Sequence, residues 1–535
     1  MKQVSMKVNQ ANLVKSLKFS FTNKTTVLAE LMQNARRANA TQVVFEFAPE
    51  TRILRITDDG CGIDSIETLL TVAESGWNAD VVAQEHPFGI GFLSALFACR
   101  HMTVVSKSGR MSVNTDDVLS FKPVTVSPAT DWDGITSIVM SGVDLDLFTV
   151  EEELKRLASA FPIPVLFNGT SLARPHAIDS GLDFVSTEIG SVCLAGFDEP
   201  ASYNKCVVMY LQGLPIYKSH NSSSYGSRRG DHVIHLDSSR FFGRLPDRDE
   251  LVDKREVVKL VENILKCAIE TRLNEMKATI SPEAFVAYFD IINDWNLLSV
   301  LNDVPVVPRE VLCEITGYPH CSEESFGECE TRPEKPVFRE EIVSGRQVVS
   351  FEEYMQDDGS ALSMYVFKKG FYVYGNSRHQ LDSTHWLHNH IRNLNNEKIR
   401  IELVDQTHEA YFEGQWVCLN AVFCDAYRIS VGDDSIVIDD DSMFDGARAI
   451  VPKKDGCGTV VTQSNSFRDD YDFQQSAYET DEYDFSQFVV ANTSSDPTIA
   501  LMRLIPSFRS CPSVYGKSFV ISLDENGCVA SVTAA

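Results

Sequence analysis

The stretch RILRITDDGCGI, Arg52 to Ile63, constrains this chain more than any other. A strand-like run ends in two carboxylates, Asp58 and Asp59, followed by glycines at 60 and 62 around a cysteine. Glycine reaches left-handed backbone at no steric cost, and Asp-Gly pairs are ordinary turn formers. Alone, the six residues from Asp58 fit a hairpin turn or the floor of a nucleotide pocket, and the flanking segments must decide.

Upstream, TTVLAELMQNARRANA places Val27, Leu28, Leu31, Met32 and Ala35 at helical spacing, which predicts an amphipathic helix over Thr25 to Ala40. Glu30 and Asn34 stand four apart at the edge of its apolar face, where a core-flanking polar pair and a half-shielded functional pair look the same. TQVVFEF and RILRIT read as two strands. Downstream, EHPFGIGFLSALFACR predicts a helix opened by Gly89 and Gly91. Glycines there serve close packing, or let free N–H groups at a helix start approach an anion. WDGITSIVMSG reads as a strand carrying Thr136.

These four pieces, in this order, resemble the GHKL ATPases: gyrase-type topoisomerases, ninety-kilodalton heat-shock chaperones, histidine kinases and MutL proteins. Glu30-x-x-x-Asn34-Ala35 looks like the first box, Asp58-x-Gly60-x-Gly62 the second and FGIGFLSA the third, and the likeness is greatest to the chaperones. The resemblance implies a Bergerat-type α/β sandwich that binds ATP with Mg²⁺. Within it Glu30 would deprotonate the attacking water, Asn34 would hold Mg²⁺ through its amide oxygen, and Asp58 would accept from the adenine amine. Gly60 and Gly62 would shape the adenine end, with Gly62 leaving room for the ring, and Gly89, Ile90, Gly91 and Phe92 would offer backbone N–H groups to the phosphates. Thr136 would join Asp58 through water. Asp59 is then a turn residue and Cys61 a small packed hydrophobe. The chain departs from the pattern at Arg37, where the family has Asp, at His86, where the third box has its first glycine, and in Gly-Ile-Thr where Gly-Thr is usual. His86 bears on the hinge of a lid over about residues 69–88.

Further on, RLPDRDELVDKREVVKLVENILK resembles the chaperones' middle domain, which implies that Arg248, ahead of a long helix over Val252 to Leu273, reaches the γ-phosphate. A helix-capping Asp-Arg pair on the surface is the other reading. Cys313, His320, Cys321 and Cys329 fit no familiar zinc spacing. From Gly432 to Phe485 acidic and aromatic residues interleave, the composition of a solvated or disordered segment, or of one that binds a partner.

The fold class expected is α+β: an ATP-binding domain over 1–143, a middle or transducer-like α+β domain over 144–275, a mixed α/β region over 276–430 and a partly flexible acidic region over 431–535. The formal charge of −27 argues against broad non-specific binding to nucleic acid. Thirteen cysteines without a C-x-x-C pair, and a first segment without an apolar signal core, suggest reduced thiols in a cytoplasm. No apolar run approaches the roughly 18 to 20 residues of a membrane span. Two functions remain: a slowly hydrolysing ATPase that closes its lid and associates as a homodimer on binding ATP, its protein partner or client not legible in the sequence, or a nucleotide-binding regulatory or scaffold protein, of the kind large phages encode, with negligible turnover.

Overall fold

In the computed structural model, the described residues are 9, 12–14, 16, 17, 23–71, 77, 91–130, 132–200, 203–219, 230–244, 249–316, 330–352, 360–375, 379–454, 460–469, 472–505 and 508–535. The chain divides into two units, Met1–Thr279 with Asp290–Leu297, and Ile280–Phe289 with Leu298–Ala535.

The first unit opens with helix α1 (Thr26–Arg37), whose residues Val27, Leu28, Leu31, Met32 and Ala35 are all buried, as their spacing requires. They cover one face of an eight-stranded sheet. Its strands are β1 (Val43–Ala48), β2 (Ile53–Asp58), β3 (His101–Ser106), β4 (Gly109–Asn114), β5 (Val126–Ser127), β6 (Thr136–Ser141), β7 (Val165–Phe167) and β8 (Thr170–Ser171), in the spatial order 5-4-3-6-2-1-7-8. All neighbours run antiparallel except β1 and β7. Period-two alternation sends Val43, Phe45 and Phe47 of β1, and Leu54 and Ile56 of β2, into the core. Helices α2 (Gly91–Ala98) and α3 (Leu147–Ala158) complete the layer through Phe92, Leu93, Leu96, Val150, Leu154 and Leu157. Each of the larger side chains contributes about 1.5–3 kcal/mol by burial. Hydrogen bonding of the sheet continues to Ser171, past the residue-143 boundary expected from the sequence, because β7 pairs with β1 and α3 packs on the same core.

A second sheet follows, of β9 (Val185–Thr187), β10 (Gly190–Cys193), β11 (Tyr203–Leu211), β12 (Leu214–Lys218) and β13 (Gly230–Leu236), ordered 12-11-13-10-9. The long helix expected after it runs from Lys254 to Thr279, somewhat later than the sequence suggests.

In the second unit, a five-stranded sheet carries the helix Ala361–Lys369. Beside it stands a long hairpin, Ile399–Glu413 with Cys418–Val431. The acidic stretch from Gly432 is largely structured, contrary to its composition. Asp434–Ile438 and Arg448–Pro452 join the hairpin's sheet, and Gln475–Thr493 is a helix whose Phe485 and Val489 enter a core with Phe412, Phe423 and Phe467. Its helical face is apolar at a spacing that acid-rich composition hides. Fully buried Asp481 is accommodated because backbone N–H groups of Gln415, Trp416 and Val417 donate to its carboxylate. Removing this segment would therefore strip a core, not a tail. Among the described residues no helix is long and apolar enough to cross a membrane.

Candidate nucleotide site

Helix α1 carries the first pair of candidates. Glu30 is buried at 7 % exposure and Asn34, one turn on, is half-buried. The start of α2 lies directly on Glu30: a Cβ on Gly91 would come within 2.0 Å of Glu30 Oε2 and 2.8 Å of its Cδ. Glycine at 91 thus lets backbone approach where any side chain would collide. The carboxylate sits at a helix start, where unpaired N–H groups and the helix dipole favour negative charge. Arg37, at the position where the family has Asp, is buried, with Nη1 3.5 Å from Asn34 Oδ1.

The loop after β2 is locked to the end of α1. The Cys61 N–H donates to the Ala38 carbonyl at 2.8 Å, and a Cβ on Gly60 would lie 2.6 Å from Ala38 Cβ. Gly60 is therefore required by close approach. Half-buried Asp58 accepts from the Gly60 N–H at 3.1 Å. Burial pushes the Asp58 carboxyl above its ordinary value, although the Gly60 bond opposes this and the neighbouring Asp59 charge adds to it. Gly62 has φ +76°, and a Cβ there would meet the Trp132 ring at 3.1 Å and the Lys107 stem at 3.2 Å. Lys107 Nζ in turn pairs with Asp64 at 2.6 Å.

Strand register brings Thr136 of β6 directly opposite Asp58 of β2. The Thr136 hydroxyl shares a 3.0 Å hydrogen bond with Ser106 Oγ, and Ser106 accepts the Ile63 N–H at 2.8 Å. Both hydroxyl residues are buried, so this pair pins the glycine loop to the sheet. Sequence reasoning passed over Ser106; a hydroxyl ending the apolar run MTVV was the available signal.

Other expectations resolve individually. Asp59 does more than turn the chain: Thr41 donates to it through its N–H at 2.7 Å and through its hydroxyl, and Gln42 N–H at 3.2 Å. Burial disfavours the Asp59 charge, but these donors outweigh it and lower the pKa. Cys61 is exposed, not packed. The Phe92 ring is buried in the helix–sheet core, at the second residue of α2. Gly89, Ile90, His86, nearly all of the lid segment and Arg248 lie outside the described residues, as do His320, Cys321 and Cys329. Cys313 is a buried strand residue whose thiol burial pushes up. Among the described residues no three His, Cys, Asp or Glu side chains are grouped to hold a metal.

Glu30, Gly91, the Asp58–Gly62 loop, Ser106 and Thr136 thus belong to one run of contacts linking α1, α2 and the ends of β2, β3 and β6. It offers a half-buried acceptor at one place and a shielded carboxylate beside a helix start at another. A comparison of the chain with characterised proteins finds no match. Residues 22–129, about a fifth of the chain, match the family described as histidine kinase-, DNA gyrase B- and HSP90-like ATPase, which supports the GHKL superfamily for this part of the protein.

Proposed function

We propose that the N-terminal domain binds Mg-ATP and that the protein hydrolyses it slowly as a chaperone-like machine. The observation that carries this reading is the glycine-enforced contact of Glu30 with the start of α2, on the same helix whose end is locked to the Asp58 loop. Asp58, half-desolvated and opposite Thr136, is suited to accept from the adenine amine, with Thr136 acting through water. Gly60 and Gly62 shape that end. Backbone N–H groups of Gly89, Ile90, Gly91 and Phe92 would bind phosphate oxygens. Glu30, shielded from water, suits a general base.

For Mg²⁺ the fit is a partial one. Asn34 supplies one neutral oxygen, the hard donor this ion prefers, and Mg²⁺ commonly keeps waters and takes further ligands from phosphates. The ion would neutralise phosphate charge when bound; orientation of water falls to Glu30. Arg248 would add a guanidinium from the second domain, able to grip phosphate oxygens with paired donors. Lid closure and ATP-dependent homodimerisation, with a protein client, complete the reading.

The test is calorimetry and turnover on three proteins. Asp58→Asn abolishes ATP binding, while Glu30→Ala keeps binding and loses turnover. Asp58→Asn is also at least as stable as wild type at neutral pH: a raised carboxyl pKa means that the folded state favours the neutral form, a contribution present below the unfolded value of 3.8 and lost as pH rises through the folded pKa. Equal ATP affinity in wild type and Asp58→Asn refutes the assignment.

A further inference from the structure

Gln33 stands between Glu30 and Asn34 on α1 and is 3 % exposed. Its amide is held at both ends. Oε1 accepts from Arg36 Nε at 3.0 Å and Nη2 at 2.8 Å, which leaves Nε2 to face outward from that pair. Nε2 donates at 3.1 Å to the backbone carbonyl of Gln212. Gln212 and Gly213 form the two-residue turn between β11 and β12 of the second sheet, with φ +54° and +80°. Left-handed backbone at both positions is the form that tight hairpins require.

The turn is also held from its other side. A Cβ on Gly213 would lie 2.5 Å from Pro162 Cδ and 3.2 Å from the Ala160 carbonyl, so the hairpin tip is seated against the corner that follows α3. Leu214, the next residue, packs on the core of the first sheet. The tip of the second sheet is thus bonded to the helix that carries Glu30 and Asn34, through the residue between them. A helix is stiff over one turn, so a shift imposed at Gln33 is passed to both neighbours.

We infer that Gln33 is a positioning residue through which the β11–β12 hairpin sets the placement of Glu30 and Asn34, and through which nucleotide at that helix is reported to the second sheet. The inference rests on the ATPase reading above. Coupling between two sites is reciprocal, so the same contact must act in both directions.

The experiment uses the full chain, with Mg-ATP as the probe. Gln33→Glu keeps size, helix propensity and the acceptor for Arg36, but sets an oxygen against the Gln212 carbonyl. Steady-state hydrolysis and amide hydrogen exchange of residues 210–216 are measured with and without ATP. In the wild type ATP slows exchange in the hairpin. In Gln33→Glu that protection is lost and kcat falls about tenfold, the order of loss that a sub-ångström misplacement of a catalytic group produces, while KM changes less than about threefold; a purely structural defect would lower the melting temperature and disturb both constants together. Gln33→Met, which keeps volume and helix propensity but removes the donor to the Gln212 carbonyl, gives the same split and carries the test if Gln33→Glu does not fold. Wild-type kcat in both variants, or ATP protection of the hairpin that survives Gln33→Glu, overturns the inference alone. A wild-type protein that binds no ATP overturns the functional reading and this inference with it.

Discussion

Gly91→Ala separates stability from chemistry at the proposed site. The added methyl would stand 2.0 Å from Glu30 Oε2 and 2.8 Å from Cδ, whereas ordinary contact begins at 3.4 Å. The carboxylate must therefore withdraw by about 1.4 Å, and the contacted atoms extend inward to Cγ at 3.3 Å, so rotation of the carboxylate tip alone does not relieve the clash. Alanine is at the same time favoured over glycine in a helix by up to about 1 kcal/mol. The two effects oppose each other in folding. Overpacking against buried Glu30 typically costs about 1–3 kcal/mol, and Gly91 is the first residue of its helix, where the alanine advantage is smallest, so the melting temperature should change little or fall modestly. Chemistry has no such compensation. A displacement of about 1 Å in a catalytic group can cost about a hundredfold in rate, or about 2.7 kcal/mol of barrier. Single-turnover hydrolysis of ATP by Gly91→Ala should thus fall by roughly two orders of magnitude. The double variant Glu30→Ala/Gly91→Ala should be no slower than Glu30→Ala, because the methyl then has no carboxylate left to displace. Wild-type turnover in Gly91→Ala, or losses that multiply in the double variant, would show that the position of Glu30 against α2 does not govern the rate.

Asp481→Ala should destabilise the second unit by at least about 3 kcal/mol, since bonds to a charged acceptor are each worth about 1.5–3 kcal/mol and three backbone donors lose theirs; denaturant unfolding followed by Trp416 fluorescence measures this, and a loss below 1 kcal/mol would mean that water replaces the carboxylate. His232 is fully buried, accepts the Ala195 N–H at 3.1 Å through Nδ1, and is held by burial at a pKa of about 4 against an ordinary 6.5. A lowered histidine pKa gives stability that is whole above 6.5 and is lost as pH falls toward 4, about 3 kcal/mol at most. Unfolding free energy should drop over that window, and His232→Gln should flatten the slope; an unchanged slope would place the acid sensitivity elsewhere.

Local pattern was enough for much of the first domain. Residues at α1's apolar spacing are covered by the sheet, and the alternating runs at Val43 and Ile53 pair as neighbouring strands, because one period faces one core whichever partner supplies it. The glycines at 60, 62 and 91 were legible as exceptional, yet each for a reason the sequence withholds: Ala38, Trp132 with Lys107, and Glu30 are the atoms that exclude a side chain. Acidic composition misled at Asp481, where three N–H groups of a hairpin turn far along the chain neutralise what looks like a solvated charge. Ser106, Thr136, Gln33 and Gln212 likewise gained their partners only through folding. Periodicity and turn chemistry act over a few residues and can be read in order along a chain. Which buried polar group meets which donor is decided when distant segments close on one another, and there the tertiary structure alone speaks.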